Sequence, residues 1–578
     1  MKARWIALMA LSACGAPERP VEETKPVPRL DGLWEGVLRF GPDVRGVLAI
    51  ERRPGGWRAE IAGHSAPVRV TGNAVAFELG DQLGSFEGTL AGDRITGHWA
   101  QPGGVKTGGL RFASPVTLVG QGRWSGEVVP LDDRMTMRLV IRQGGARAFL
   151  RNPERNAGVF TEVSRVERDG AAIALLGRRG SGDQVLARGT YDAESDAMIV
   201  PLRGGTYELR RAGGDSGFHP RGARPERYRH APPPALDDGW PVGSLERAGL
   251  DRAAIERFVQ HLIDMPIDSV NASDVHALLI ARRGVLVVEE YFHGYHRDEP
   301  HDLRSAAKSL TSVLVGAAIQ AGAPLDASTP VYRVTSGGAF PAGLEPRKRA
   351  LTVEHLLNMS AGLDCDDRDP DSLGNQDRMQ EQTDQPDWDR YTLALGMVRE
   401  PGRQAVYCSA LPNLLGAVLR GATGESLPVL FDRLVAAPLG IRRYHLPLSP
   451  VGQAYMGGGV YLLPRDFMKL GQLMLDGGEW KGRRVISREW ARRSIAPLFD
   501  LAEIRYGYLW WVIDFPHRGR TVRAFFAGGN GGQVVMGIPE LDLLVGFLGG
   551  NYSDRERTYL PQRVFVPRYI LPAVSDGR

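Results

Sequence analysis

From Gly32 to about residue 212, apolar and polar positions alternate with a period of two. Trp57-Arg58-Ala59-Glu60-Ile61, Ala74-Val75-Ala76-Phe77-Glu78-Leu79 and Arg94-Ile95-Thr96-Gly97-His98-Trp99 show it plainly. Gly and Asp interrupt the alternation every eight to twelve residues, the pattern of antiparallel hairpins. One segment repeats: Gly32-Leu33-Trp34-Glu35-Gly36 returns as Gly122-Arg123-Trp124-Ser125-Gly126. These features predict two small all-β modules in tandem, at 30–113 and 118–212. Nothing in them carries catalytic chemistry, so their expected role is structural or the binding of a ligand the sequence does not name.

Residues 213–240 read as a linker rich in Gly, Pro and Arg. It holds Gly214-Asp215-Ser216-Gly217, but four residues in a Gly-rich stretch without a flanking barrel pattern do not make a protease site. From 241 to 578 the texture changes to alternating helices and strands. Helical spacing runs from Ala253 to Met265, and Ser305 to Gln320 is an apolar helix. Val275–Ile280 and Val285–Tyr291 read as paired strands around Arg282-Arg283-Gly284, and 531–538 with 541–548 as a hairpin of the same sheet. This predicts an α/β or α+β domain.

Charge and composition then exclude some classes. Over 578 residues the formal net charge is only +4, with acidic and basic residues interspersed, which argues against a nucleic-acid partner. The start of the chain reads as a leader: Lys2 and Arg4, then an apolar run from Trp5 to Leu11, then Ser12-Ala13-Cys14. That run is too short to span a bilayer as a mature helix. Leu-Ser-Ala-Cys resembles a bacterial lipobox, which implies removal of residues 1–13, lipidation of Cys14 and a protein facing the periplasm, or secreted, with its anchor as the one membrane contact. The remaining cysteines, Cys365 and Cys408, are either a disulfide or two buried thiols. Two cysteines and no H-E-x-x-H motif leave no expected metal site, and no cofactor is implied.

Chemistry concentrates at Arg304-Ser305-Ala306-Ala307-Lys308-Ser309, where the apolar helix opens. Spacing of i to i+3 sets Ser305 and Lys308 on one helical face. A serine hydroxyl needs an adjacent base, and a desolvated lysine amine can serve. Further segments follow in order: Leu351 to Leu363, Tyr407-Cys408-Ser409, Gly457-Gly458-Gly459-Val460-Tyr461 with Asp466, and Gly529-Asn530-Gly531-Gly532-Gln533. Together these resemble the β-lactamase-related serine hydrolases, the superfamily of class C β-lactamases and penicillin-binding proteins.

That resemblance implies a β-lactamase/transpeptidase-like domain with a central antiparallel sheet behind the two β modules. It implies Ser305 as nucleophile, and Lys308 and Tyr407 sharing the proton work, without saying which is the initial base. The N–H groups of Ser305 and Gly532 are the implied oxyanion donors, with Ser409, Gly529, Asn530 and Gly531 lining the substrate site. Two departures stand out. Ser409 replaces the usual Asn, and Gly529 stands where relatives carry Lys or His, so the cation that holds a substrate carboxylate is missing unless Arg403 or Arg523 supplies it. Tyr407-x-Ser409 with Gly362-Leu363-Asp364-Cys365 is closest in motif to nylon-oligomer hydrolases and esterase relatives. The expected activity is hydrolysis of an ester or small amide through a Ser305 acyl-enzyme. A D,D-peptidase, D-aminopeptidase or β-lactamase on peptides or β-lactams is the alternative, and a catalytically silent binding protein the alternative of another class.

Three softer expectations remain. The acidic segment from Asp364 to Asp389 reads first as a solvated loop and second as a frame for the substrate entrance. Tyr508, Trp510 and Trp511 are placed equally in the core or in an acyl pocket. His355 is expected to be structural.

Overall fold

A computed structural model describes residues 29–80, 82–154, 162–179, 182–267, 273–501, 503–552 and 554–575. The leader and Cys14 lie outside the described residues.

Among the described residues, sixteen strands between Gly32 and Arg211 form two antiparallel sheets. The first runs as a meander from the strand Gly46–Arg53 to the strand Arg123–Val128. It closes into a barrel because Arg123–Val128 pairs both with Gly46–Arg53 and with Arg111–Gly120. Leu48, Ile50, Phe77, Phe86, Ile95, Trp99 and Leu118 fill its interior, the inward half of the alternation. The second sheet has eight strands and a core of Trp34, Met137, Leu139, Leu175, Met198, Tyr207 and Leu209.

The expected boundaries, 30–113 and 118–212, do not match the sheets. The strand Gly32–Gly41 precedes the first barrel but belongs to the second sheet, paired with Asp133–Arg142 and Gly205–Arg211. Arg123–Val128, expected in the second module, completes the first. The two copies of the repeat therefore play equivalent parts in crossed positions. Trp34 and Trp124 are each buried in their sheet's core, and the second glycine of each copy lies against a neighbouring strand. A Cβ on Gly36 would fall 2.6 Å from the Glu208 carbonyl oxygen, and one on Gly126 2.1 Å from that of Thr117. Closing a sheet takes a strand from wherever the chain brings one, and period-two alternation carries no record of which neighbour it will find.

The C-terminal region is built on a sheet of eight antiparallel strands. Its order is Val285–Tyr291, Val275–Arg282, Leu543–Gly549, Gln533–Ile538, Arg520–Gly529, Trp511–His517, Ile504–Tyr506 and Phe499–Leu501. Helices cover both faces, so every residue of Val275–Arg282 is buried and the strand reads as continuously apolar apart from His276 and Arg282. Helices Ala307–Gln320, Ala410–Thr423 and Pro464–Leu475 supply the larger core, and Arg252–Ile263 with Pro561–Ile570 the other. Both hairpins expected from the pattern are present, with Ala277 opposite Tyr291 and Val534 opposite Phe547.

The two halves are joined by backbone pairing. Tyr444–Leu448 adds to the barrel strand Arg111–Gly120, with Leu446 opposite Ala113, and carries Tyr461–Leu462 and His301–Asp302 on its other side. His98 Nε2 meets the Tyr444 hydroxyl at 2.8 Å, and Ser114 Oγ meets His445 Nδ1 at 2.7 Å. In the linker the Ser216 hydroxyl donates to Glu35 at 2.8 Å, a carboxylate that also pairs with Arg138. Among the described residues no helix is long and apolar enough to cross a membrane, and no group of His, Cys, Asp or Glu is arranged to hold a metal ion.

Candidate active site

The short strand His301–Asp302 leads into a single 3-10 turn, Arg304–Ala306, from which the helix Ala307–Gln320 continues. Arg304 takes the left-handed conformation with φ of 48°, a strained one for a side-chain-bearing residue. Two bonds hold it there: Asp302 Oδ1 accepts its N–H at 2.9 Å, and its carbonyl accepts the Gly459 N–H at 3.1 Å. Leu303 N–H donates to Val460 at 3.0 Å, so the 457–460 segment is laced to the turn. The next residue is Ser305, whose backbone N–H lies in the first turn, where no intrahelical acceptor exists.

Lys308 comes one turn later on the same face. Its Nζ stands 3.1 Å from Ser305 Oγ and donates to the Gly457 carbonyl at 2.6 Å. The side chain is 1% exposed. Burial pushes the amine down to about 8, and the nearby Asp367 carboxylate opposes that shift. Tyr407 completes the group. Its phenol hydrogen-bonds Ser305 and is held well above its ordinary value by burial. Its ring stacks on Trp511 at 5.7 Å and lies 5.0 Å from Lys308 Nζ. The neighbours Ser305 and Lys308 and the remote Tyr407, expected to act together, thus meet at one hydroxyl.

Asp367 is the site residue that sequence reasoning missed. Its N–H donates to the Tyr407 carbonyl at 2.9 Å, and its Oδ2 accepts the backbone N–H of Ser409 at 2.9 Å and the Ser409 hydroxyl at 2.6 Å. Burial raises its carboxyl, while Lys308 and the Ser409 bonds pull the other way. The link is reinforced covalently, because Cys365 and Cys408 are disulfide-bonded with Cα atoms 5.7 Å apart. The acidic segment is therefore not a uniformly solvated loop. Asp369, Asp371 and Asp377 are exposed, but Asp367 turns inward and the buried Asp389 takes Arg420 at 2.6 Å and Asn413 at 2.9 Å. A run of acidic residues has no periodicity that would tell those apart.

Several expected substrate contacts move. Ser409 is fully buried with its hydroxyl given to Asp367, so it does not replace the amide of the usual Asn as a substrate contact. Gly529 is a close-approach position and not a vacated cation site. A Cβ there would meet the Leu303 carbonyl oxygen at 2.4 Å and the Ala306 nitrogen at 3.0 Å, because the end of the strand lies directly on the nucleophile turn. The Gly532 N–H bonds the Gly529 carbonyl at 3.3 Å across the hairpin, and the Gly531 N–H bonds Thr558 Oγ1 at 3.2 Å. The N–H of Gly532, the expected oxyanion donor, is thus taken up within the hairpin, and that of Gly531 by a residue outside it. Asn530 sits at the hairpin tip, its carbonyl accepting from Gln533 at 3.2 Å.

Of the three aromatics, only Trp511 reaches the site. Tyr508 is buried and donates to Glu354 at 2.6 Å, and Trp510 packs edge-on to Phe525. His355 forms a capping box with Thr352, as a structural histidine should. Arg403 is exposed, and Arg523 pairs with Asp514 at 3.0 Å, so neither supplies the missing cation. Arg368, beside Asp367, does bring positive charge near the Tyr407 phenol.

The family model named Beta-lactamase matches residues 270–564, just over half of the chain. A 6-aminohexanoate-dimer hydrolase of Paenarthrobacter ureafaciens is 28% identical over 270 residues, which cover 45% of this chain and 66% of that protein. The chain thus spans just under two thirds of that relative. Among solved structures, a putative 6-aminohexanoate-dimer hydrolase from Bacillus anthracis is 19% identical, covering 52% of this chain and 81% of that one, with a TM-score of 0.43. A penicillin-binding protein homologue from Caulobacter crescentus is 17% identical, covering 53% and 95%, with a TM-score of 0.41. The family match lies wholly behind the β-rich front half and spans just over half of the chain: the chain belongs to the Beta-lactamase family of serine hydrolases.

Proposed function

We propose that the protein hydrolyses a short ester or small amide through an acyl-enzyme on Ser305. The observation that carries this is the buried Lys308 amine, 3.1 Å from Ser305 Oγ and lowered to about 8. A lysine in that range is substantially neutral at mildly alkaline pH and able to accept the hydroxyl proton as Oγ attacks the carbonyl carbon. Tyr407 is held protonated by its burial, so Lys308 is the initial base and Tyr407 relays the proton to the departing alcohol or amine. Water then attacks the acyl carbon, and the same groups run the proton transfer in reverse to release the acid and restore Ser305. The Ser305 N–H, together with the strand end at Gly528 to Asn530 that rests on the turn, supplies the oxyanion site.

The relative named for a 6-aminohexanoate dimer supports the amide side of this reading. Peptidase or β-lactamase action is the second reading, and the specific observation favouring it is the cation of Arg368 beside Tyr407. Export with a lipid anchor on Cys14 belongs to the same proposal, supported by the leader pattern and by the bonded cysteines, which suit an oxidising compartment. The test of function is turnover of p-nitrophenyl butyrate, D-amino-acid amides and nitrocefin by the purified protein and by Ser305→Ala. Activity on any of them that survives the substitution overturns the assignment. Labelled palmitate incorporated by the host, and lost in Cys14→Ser, tests the anchor.

A further inference from the structure

The strand Val275–Arg282 is buried along its whole length, yet its second residue is a histidine. Burying an imidazole is costly unless its nitrogens find partners, and His276 has one on each side. Its Nδ1 lies 2.8 Å from Nε2 of the buried His301, and its Nε2 faces Asp274 Oδ2 at 3.4 Å. The Tyr295 ring stacks on it with centroids 3.8 Å apart, which fixes the plane in which both nitrogens point.

The direction of the bond between the two rings follows from the carbonyl beyond them. His301 Nδ1 meets the Asp302 carbonyl at 3.2 Å, and a carbonyl only accepts, so that nitrogen carries a proton. Burial, with His276 beside it, holds His301 far below its ordinary value, so the ring is neutral and its Nε2 accepts. His276 Nδ1 is therefore the donor. A neutral His276 would then aim the bare lone pair of Nε2 at a buried carboxylate. A proton in that gap, on either atom, turns the repulsion into attraction.

Asp274 is fixed on every side. Arg151, on an edge strand of the second sheet, stands 3.8 Å from Oδ2, and His293 Nε2 stands 3.6 Å from Oδ1. Burial pushes the carboxyl up, but Arg151, His276 and His293 outweigh it and hold it below the usual range. The Asp274 N–H donates to Asn551 Oδ1 at 2.7 Å, and its carbonyl accepts the Gly550 N–H at 2.9 Å. The Asn551 N–H in turn donates to the Gly531 carbonyl at 3.1 Å. One buried acid thus reaches the hairpin that rests on the nucleophile turn and, through His276, the strand that feeds it.

We infer that His276 is a positioning residue of the reaction at Ser305. It donates to His301, His301 holds the Asp302 carbonyl, and the Asp302 carboxylate accepts the N–H of the strained Arg304 that precedes the serine. Asp274 orients His276 from behind, and Arg151 is the countercharge that the second sheet contributes. His276 acts through the main chain of the turn and not on the substrate. The inference rests on the proposed chemistry of Ser305, and its test separates the two.

Three variants of the full chain test it, each read as Tm and as kcat and KM for whichever of p-nitrophenyl butyrate, D-amino-acid amides and nitrocefin the protein turns over. His276→Asn places an amide N–H where Nδ1 stood and keeps the bond to His301. His276→Gln reaches toward Asp274 but loses that bond, and His276→Phe keeps only the stack on Tyr295. The Gln and Phe variants should lower kcat at least about thirtyfold with KM within about twofold, and Asn should recover at least about tenfold of the loss. If His276→Phe does not fold, the comparison of Asn with Gln decides. Equal kcat in those two overturns the inference, and so does a fall in Tm with kcat unchanged, the mark of a purely structural histidine. A protein that turns over none of the substrates overturns the Ser305 reading and the inference with it; an active protein with equal variants overturns the inference alone.

Discussion

The Lys308 amine stands 3.1 Å from the Ser305 hydroxyl while its other bond goes to the Gly457 carbonyl at 2.6 Å. One contact orients the amine and the other sets it on the hydroxyl that it deprotonates in the proposed reaction. The segment that carries this carbonyl is itself bonded to the turn at Leu303 and the strained Arg304.

A fluorophosphonate probe should therefore label Ser305 and nothing else in the chain. Peptide mass spectrometry locates the adduct, and a label on Ser216 or Ser409 would refute the site. Lys308→Ala should lower kcat/KM for p-nitrophenyl butyrate by at least about a hundredfold, the lower range for loss of a general base.

The pH profile has a defined sign. The amine must be neutral to accept a proton, and it is lowered to about 8, so kcat/KM should rise with pH through about 8 and level above it. A rate that is flat from pH 6 to 9 would remove Lys308 from the base role.

Asp367 tunes that limb. Its carboxylate favours the charged amine, so Asp367→Asn should move the rise to lower pH. The same variant retains one acceptor for Ser409, so the fold should persist and kcat should change more than KM. An unshifted limb would show that Asp367 acts only as a brace.

Joining Cys365 to Cys408 closes a separation of 43 residues, worth roughly 4 kcal/mol by loop-closure entropy. The double variant Cys365→Ser, Cys408→Ser should lose roughly 5–10 °C in Tm. It should also lose activity, since the bond ties the Asp367 loop to Tyr407. Non-reducing peptide mapping of exported protein should recover the two joined.

Substrate preference follows from what surrounds Ser305. Neither Arg403 nor Arg523 reaches it, and an unpaired carboxylate is costly to bury. Short neutral esters should exceed nitrocefin by more than about tenfold in kcat/KM, near 1.4 kcal/mol. Any nitrocefin turnover should fall further in Arg368→Gln. Equal rates for the two substrates would shift the reading to a β-lactamase.

Local features were legible in the chain itself. Ser305 and Lys308 share a helical face whatever surrounds them, because an i, i+3 relation is a property of the helix alone. The alternation of the front half and the hairpins at Arg282-Arg283-Gly284 and Pro539 likewise depend on neighbours in sequence. Even the repeated Trp and Gly pairs could be read as equivalent before either had a partner.

Only the folded chain decided the rest, and in each case because the deciding contact is remote. Whether Gly32–Gly41 closes the first barrel or joins the second sheet depends on which edge is vacant, and pairing energy is nearly the same for either. Gly529 is a glycine because the Leu303 carbonyl lies against it, more than two hundred residues earlier. Asp367 differs from Asp369 and Asp371 only in being drawn inward by Ser409 and a disulfide two residues away. Sequence by itself singled out Ser305, its lysine neighbour and the two textures of the chain; tertiary structure chose the strands' partners, the buried acid and the contacts around the serine, since burial and long-range pairing are properties no local window contains.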